Sequence, residues 1–225
     1  MTTLSHRPSR NPPRRTRSRA PILVAVGVAV VVLIALVIAL TAGGDDGATT
    51  GGSGYDPATT GTVAASGTPL PPLTDSAPDP AAGMTFPTLT GADQQGQPLT
   101  ISAGDGPIMV LFMAHWCPHC QRELPVVQRW VDGGGLPAGV RLVSVSTAID
   151  PQAPNYPPDR WLARVGWTAP VLVDADGTAA EAAGLSAYPY FVAVDGTGKV
   201  VQRTTGKLTT AQLDAIAQAL APAAG

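Results

Sequence analysis

The stretch of the 225-residue chain that is most informative about the fold is Phe112-Met113-Ala114-His115-Trp116-Cys117-Pro118-His119-Cys120. It overlaps a continuous apolar run, Ile108–Met113, of the kind found in strands that are buried on both faces of a sheet. A helix is predicted from Pro118 to about Val131, because Leu124, Val127 and Val131 recur on one helical face. The two cysteines, the only ones in the chain, therefore lie where a buried strand passes into a helix.

This position gives the cysteine pair a specific chemistry. Unpaired backbone N–H groups and the positive end of the helix dipole favour a thiolate at Cys117. Pro118 suits the first helical position, where a missing N–H costs nothing. Since two residues separate the sulfurs, Cys117 is predicted to be the nucleophile and Cys120 the more buried resolving thiol. His119 can donate a hydrogen bond to the Cys117 sulfur or carry a positive charge beside it, and either would make the pair more oxidising.

The sequence around this motif alternates between strand and helix patterns. The last two predicted strands flank Asp195–Gly198, a hairpin signal, and Thr209 with Gln212 predicts a capping box. This alternation, ending in an antiparallel hairpin, indicates an α/β fold with a mixed sheet. Further strands are predicted at Phe86–Leu89, Leu99–Ile101, Val140–Ser146, Val171–Val173, Phe191–Val194 and Lys199–Arg203, and further helices at Asp159–Val165, Ala179–Ala183 and from Thr209.

An apolar segment near the N-terminus predicts a membrane anchor. Residues 22–40 contain no charge and no proline, and as a helix they would span roughly 28 Å, close to the thickness of a bilayer core. Arginines precede the segment, and Asp45 and Asp46 follow it. The positive-inside rule therefore predicts a single-pass protein of the cell membrane, with residues 1–21 cytoplasmic and the remainder outside. A cleaved signal peptide is the alternative, although such apolar regions are usually shorter and Leu40-Thr41-Ala42 lacks a small residue at its start.

The composition of residues 41–82 is that of a flexible linker. Gly, Ala, Thr, Ser, Pro and Asp dominate it, and so few large apolar residues cannot offset the entropy of ordering. A single folded domain is therefore predicted over residues 83–225. From Met84 onward the chain has eight basic and eleven acidic residues. The six arginines of residues 1–20 are thus a local feature, and no nucleic-acid-binding surface is predicted.

The Trp-Cys-x-x-Cys motif after an apolar strand resembles the thioredoxin superfamily. From about Met84 to Ala221 the chain resembles the TlpA/ResA-like branch of membrane-anchored bacterial thiol–disulfide oxidoreductases. The resemblance rests on Phe86-Pro87, Gln95-Gly96 before Leu99, Trp116 to Cys120, Pro170-Val171-Leu172, and Tyr188-Pro189 before Phe191–Asp195.

The resemblance implies a thioredoxin-like fold and disulfide exchange with cysteines of other proteins. The implied reaction requires no cofactor beyond a redox-active Cys117–Cys120 disulfide. The resemblance also implies a membrane redox partner that recycles the pair. It also implies a cis bond between Tyr188 and Pro189, with Pro189 beside the cysteines. Tyr188 and Pro189 are then expected to contact substrate, as is Trp116 unless it merely packs.

Two departures from the family pattern leave the direction of electron flow open, with a lean towards an oxidant. The Cys-Pro-His-Cys tetrapeptide resembles that of DsbA-type oxidants rather than TlpA/ResA-like reductants. Leu111 stands where thioredoxins keep a buried Asp beneath the cysteine pair, so that proton acceptor is absent.

Other uses of a Cys-x-x-Cys motif fit the sequence less well. Structural zinc needs two more ligands at suitable positions, and covalent haem needs a histidine where Gln121 stands. A structural disulfide that closes so short a loop would stabilise little. The alternative function is a copper- or haem-delivery accessory protein with Cys117, Cys120, His115 and His119 as transient copper ligands; no resident metal is predicted.

Several neighbouring residues are predicted to have only structural roles. His115 is expected at the surface, and Arg122 and Glu123 on a solvated first-turn face. Packing roles are expected for Trp130, Trp161 and Trp167.

Overall fold

The computed structural model describes residues 61–75 and 77–221. The predicted cytoplasmic N-terminus (1–21) and membrane anchor (22–40) lie outside the described residues. None of the helices in these two described ranges is long and apolar enough to span a bilayer.

The described chain alternates between strands and helices, close to the order that its sequence pattern predicts. The strands are β1 (Ala64–Ser66), β2 (Thr88–Ala92), β3 (Pro98–Ile101), β4 (Ile108–Met113), β5 (Arg141–Thr147), β6 (Val171–Asp174), β7 (Tyr190–Val194) and β8 (Val200–Thr205). The helices are α1 (Pro118–Asp132), α2 (Pro158–Val165), α3 (Thr178–Ala182) and α4 (Thr210–Leu220), with a 3₁₀ turn at Ala103–Asp105. The predicted capping box is confirmed, because Gln212 N donates to the Thr209 hydroxyl and the Gln212 side chain accepts from Thr209 N.

A five-stranded mixed sheet forms the centre of the domain, in the order β6-β5-β4-β7-β8. Strands β4, β5 and β6 are parallel, whereas β7 and β8 are antiparallel to their neighbours. A separate antiparallel sheet contains β1, β2 and β3. The predicted mixed α/β architecture is therefore confirmed, and the carboxyl ends of the three parallel strands lie along one edge of the sheet.

Strand β4 contributes side chains to a different hydrophobic core on each face of the sheet, because successive side chains along a strand point to opposite faces. Met109, Leu111 and Met113 pack with α1 and α4 in the core that also contains both cysteines. Ile108, Val110 and Phe112 pack in a second core with α3 and the residues that precede β2. Every residue of β4 is buried, as the unbroken apolar run predicts.

The prediction of a flexible linker over residues 41–82 is wrong for its described part. Residues 61–75 and 77–83, which we call the strap, lie along the second core and bury Val63, Leu70 and Ala81. Leu70 N donates to Ala182 O at 2.9 Å, and Leu73 N donates to Gly184 O at 3.0 Å. Composition suggested disorder because the strap has few apolar residues, yet each of these packs on a surface that later segments supply. The domain begins by Gly61 rather than at residue 83.

A buried arginine fastens the strap to the central sheet. Arg203 on β8 donates from Nε to Asp79 Oδ2 at 2.9 Å and from Nη1 to Pro71 O at 2.7 Å. The same Nη1 donates to the Tyr190 hydroxyl at 3.1 Å. Its hydrogen bonds with Asp79 lower the pKa of that carboxyl. The strap therefore supplies the counter-charge that this buried guanidinium requires.

Replacing the strap carboxylate should destabilise the domain. We expect Asp79→Asn to lower the free energy of unfolding by about 3 kcal/mol, because Arg203 would remain buried without its counter-charge. Urea denaturation at pH 7 measures this difference. The matched control is Asp105→Asn, which removes the exposed partner of Arg141 at 3.7 Å and should cost less than about 1 kcal/mol. Equal losses in the two variants would contradict the account.

The effect should also depend on pH. Because the folded state lowers the pKa of Asp79, its stabilising contribution is complete above the ordinary carboxyl pKa of about 3.9. It is lost as the pH falls through the lower folded-state value. The difference in unfolding free energy between wild type and Asp79→Asn should therefore shrink on acidification below about pH 4.

Candidate active site

The turn between β4 and α1 places Cys117 at the N-cap of the helix. Its backbone is extended, with φ −72° and ψ 119°, and Pro118 is the first helical residue. Cys117 N donates to Ala114 O at 3.0 Å, and Cys117 O accepts from Gln121 N at 3.1 Å. Cys117 therefore lies at the positive end of the α1 dipole, as predicted.

The two cysteines are present as thiols in unequal environments. Cys117 retains 6% of its surface exposure, whereas Cys120 retains none. Burial raises the pKa of the Cys120 thiol, and proximity to Cys117 acts in the same direction. Cys120 is therefore held as a neutral, shielded thiol, which suits a resolving residue.

His119 and Pro118 lie exposed on the first turn of α1. The ring contact that the structure records for His119 is with Arg122, whose Nη2 donates to His119 Nδ1 at 3.1 Å. Arg122 is exposed, as predicted. Among the described residues the structure records no hydrogen bond from His119 to the Cys117 sulfur; the contact instead brings the cationic Arg122 to the first turn of α1.

The prediction that His115 lies at the surface is wrong. His115 has no exposed surface; its Nδ1 donates to Pro154 O at 2.8 Å and its Nε2 accepts from Asp150 N at 3.2 Å. Burial lowers the pKa of His115, which favours this neutral form. With both ring nitrogens engaged, His115 fastens the loop after β5 to the active-site turn and offers no free nitrogen to copper. The loop that buries it is 35 to 39 residues distant in sequence, so local patterning gave no signal.

The structure brings together the three residues that the resemblance assigned to substrate binding. The Trp116 and Tyr188 rings pack edge to face with centroids 6.0 Å apart. Trp116 Nε1 donates to Ala148 O at 2.7 Å. The expected cis bond between Tyr188 and Pro189 is confirmed. Trp116 and Tyr188 both pack against the core that contains Cys117 and Cys120, so these aromatic rings border the cysteine pair.

The prediction of a solvated Glu123 is also wrong. Glu123 is only 1% exposed and accepts a hydrogen bond from Leu208 N at 2.8 Å. Burial raises the pKa of the Glu123 carboxyl. The sequence did contain a signal, because Glu123 follows Cys120 by three residues and precedes Val127 by four. It therefore lies on the buried face of α1.

Two buried polar residues that the sequence analysis did not single out lie at the carboxyl ends of neighbouring strands. Thr147 ends β5 and is paired in register with Asp174, which ends β6. Asp174 accepts from Ala179 N at 2.9 Å and from Ala180 N at 3.1 Å, at the start of α3. The sequence signal was Asp174 directly after an apolar strand and before a short helix. Leu111, by contrast, is an apolar residue buried in the core that contains the cysteine pair.

Metal ligands do not cluster in the part of the chain that the structure describes. Within residues 61–75 and 77–221, no three His, Cys, Asp or Glu side chains form a group that could hold a metal ion.

Comparison with known proteins places this geometry in a family. The Redoxin family model matches residues 81–220. The thiol–disulfide oxidoreductase ResA of Geobacillus thermodenitrificans is 28% identical over 131 residues, which cover 57% of this chain and 72% of the relative. ResA of Halalkalibacterium halodurans is 23% identical over 133 residues, covering 59% of this chain and 73% of the relative.

Solved structures show the same fold. A secreted Mycobacterium tuberculosis disulfide oxidoreductase homologous to Escherichia coli DsbE matches with a TM-score of 0.50 and 22% identity, over 58% of this chain and 95% of its own. StoA from Bacillus subtilis matches with a TM-score of 0.50 and 21% identity, over 57% of this chain and 95% of its own. The thioredoxin-like fold is therefore confirmed.

The Redoxin match covers more than half of the chain and includes the whole active-site turn, helix α1 and the cis-proline segment. The chain belongs to the Redoxin family and is a thiol–disulfide oxidoreductase, as are the ResA relatives that it matches.

Proposed function

We propose that this protein oxidises cysteines of other proteins outside the cytoplasm, through the Cys117–Cys120 disulfide. The observation that best supports the proposal is the difference in burial between the two cysteines. Cys117, the N-cap of α1, keeps 6% of its surface exposed, and Cys120, one turn further along, keeps none. An attacking substrate thiolate can therefore reach Cys117 and not Cys120, which gives the exchange a defined order.

The exchange then proceeds in two steps. A substrate thiolate attacks Cys117 Sγ, a substrate–Cys117 disulfide forms, and Cys120 leaves as a thiolate that takes up one proton. A second substrate thiolate attacks the substrate sulfur of this mixed disulfide and releases Cys117 as a thiolate. The substrate loses two electrons as its disulfide forms, and the enzyme pair gains them. Reduction of a substrate disulfide follows the same steps in reverse.

The charges around Cys117 support the oxidising direction. The α1 N-terminus and the cationic Arg122 on the first turn of α1 both favour a thiolate at Cys117, and stabilising the reduced form makes the pair a stronger oxidant. The carboxyl of Glu123 would oppose this effect if it were ionised. Because burial raises the pKa of Glu123, less of it carries that opposing charge at a given pH.

The cellular setting is proposed from the sequence. Residues 22–40 would anchor the protein in the cell membrane of a bacterium, with the catalytic domain on the extracytoplasmic side. Disulfide chemistry suits such an oxidising compartment. No resident organic cofactor or metal is proposed, and a membrane redox partner would reoxidise the pair after each turnover.

Single cysteine variants test the assigned roles. When incubated with glutathione disulfide, Cys120→Ala should accumulate one glutathione on Cys117, because no resolving thiol remains. Cys117→Ala serves as the matched control, and its buried Cys120 should react at least about tenfold more slowly, since only the thiolate attacks a disulfide. Intact-mass and peptide spectrometry measure both rates. Faster modification of Cys120 than of Cys117 would reverse the roles.

The reduction potential tests the direction of electron flow. Equilibration with glutathione should give a reduction potential of about −120 mV if the protein is an oxidant. A reduction potential of about −270 mV would show a reductant. His119→Ala and Arg122→Ala should each lower the potential, because Arg122 is a cation on the first turn of α1 and His119 accepts the hydrogen bond that holds it there. Arg129→Ala, in the last turn of the same helix, is the matched control and should leave the potential unchanged. An unchanged potential in the first two variants would remove both residues from the mechanism.

A further inference from the structure

The loop between β5 and α2, residues 148–157, is held against the active-site turn at both of its ends. We call this loop the lip. At its start, Trp116 Nε1 donates to Ala148 O at 2.7 Å, and near its end Asn155 Nδ2 donates to His115 O at 3.3 Å. Ala148 and Asn155 have positive φ angles of 50° and 65°, which are uncommon for residues other than glycine. The contacts with the turn therefore stabilise a lip conformation that the lip's own sequence does not favour.

The ring of His115 fixes the middle of the lip. Its Nδ1 donates to Pro154 O at 2.8 Å, and its Nε2 accepts from Asp150 N at 3.2 Å. The Tyr156 ring packs edge-on against it, with centroids 6.0 Å apart. Because His115 has no exposed surface, loss of its ring would leave two backbone groups of the lip without their partners. His115 thus determines where the lip lies relative to Cys117, two residues further along.

The lip contributes to an apolar surface beside the cysteine pair. Trp116, Ala148 and Tyr188 are each partly buried, and they pack against the core that contains both Cys117 and Cys120. Trp116 connects the other two, because its N–H is bonded to Ala148 O while its ring packs edge to face on Tyr188. Since the only polar atom of the indole is already engaged, the part of Trp116 that remains exposed is apolar. A substrate that reaches Cys117 therefore meets an apolar surface, one side of which is the lip.

We propose that His115 is a positioning residue that sets the substrate specificity of Cys117, an inference that rests on the proposed function. By holding the lip in place, His115 keeps Ala148 O at the Trp116 indole, and the Trp116 ring therefore stays against Tyr188. The surface formed in this way favours a substrate polypeptide whose cysteine has large apolar neighbours, because removing their surface from water is favourable. His115 contacts no substrate and takes part in no bond-making step. It affects which cysteines react, and the chemistry of Cys117 itself is unchanged.

Two reduced peptides that differ only beside their cysteines measure this specificity. Each peptide carries two cysteines, which are flanked on both sides by leucine in one peptide and by serine in the other. The oxidised wild-type enzyme should oxidise the leucine peptide about tenfold faster than the serine peptide, since a pocket for an apolar side chain discriminates to roughly this extent. Acid quenching followed by mass spectrometry gives the two rate constants, and their ratio is the leucine preference.

Replacing the histidine should remove the preference without slowing the exchange itself. His115→Leu eliminates both ring hydrogen bonds and keeps an apolar side chain in the buried position. We expect its rate constant for the leucine peptide to fall to the value for the serine peptide, because the lip is no longer held beside Trp116. Its rate constant for the serine peptide should stay at the wild-type value, which shows that Cys117 is intact. A histidine that only stabilised the fold would leave the ratio of the two rate constants unchanged.

A milder variant and a control for stability complete the experiment. In His115→Asn the side-chain amide can still donate to Pro154 O, but it is too short to reach Asp150 N. This variant should lose part of the leucine preference, and it decides the question if His115→Leu folds poorly. Asp79→Asn is the control, because it destabilises the domain through the contact with Arg203, in which no residue of the lip takes part. It should keep the full leucine preference.

The outcomes separate failure of this inference from failure of the proposed function. An unchanged preference in the His115 variants that fold, or the same loss of preference in Asp79→Asn, would overturn the role of His115. Equal rate constants for the two peptides in the wild-type enzyme would overturn the specificity assigned to the apolar surface. Either result leaves disulfide exchange intact. A wild-type enzyme that oxidises neither peptide would overturn the proposed function itself, and the role of His115 with it.

Discussion

The junction of β4 and α1 is the constraint on which the remaining chemistry depends. A fully buried strand ends at Met113, and four residues later Cys117 caps a helix whose first residue is Pro118. Because β4 is packed in two cores, the start of α1 has a defined position. The start of α1 in turn determines where the two sulfurs lie. One sulfur lies at the positive end of the dipole and the other in the interior. In the proposed mechanism this placement makes Cys117 the sulfur that substrates attack.

Buried polar groups hold the surroundings of that junction. His115 fastens the loop after β5 to the active-site turn, Glu123 fastens α1 to the segment before α4, and Asp174 caps α3. Each is satisfied by backbone groups, as buried polar side chains must be. In the second core, which α3 also covers, Arg203 and Asp79 fasten the strap. The active-site edge is thus held by hydrogen bonds between elements as well as by apolar packing.

The parts of the fold that local pattern determines could be predicted from sequence. The unbroken run of β4, the apolar stripe of α1, the final hairpin and the Thr209 capping box all depend on residues within a few positions of one another. The prediction that Cys120 is more buried than Cys117 followed from the position of the pair at the start of a helix. The cis bond before Pro189 was predicted by resemblance alone, because nothing local at Tyr188 requires it.

The features that were missed depend on contacts between remote segments. Leu208, which buries the Glu123 carboxylate, is 85 positions away, and the contact between Arg203 and Asp79 spans 124 positions. The strap could not be recognised from its own composition, since the surface that orders it belongs to α3 and β8. Local pattern contained two signals of buried polar residues: Glu123 on the apolar face of α1 between Cys120 and Val127, and Asp174 directly after an apolar strand.

Competitive labelling of the fully reduced enzyme tests most directly whether Cys117 is more accessible and more reactive than Cys120. A limiting amount of iodoacetamide at neutral pH, followed by denaturation and a second, isotopically heavy label, reports which thiol reacted first. The account predicts light label on Cys117 and heavy label on Cys120 in almost every molecule. Equal light labelling of the two cysteines, or light label chiefly on Cys120, would contradict it.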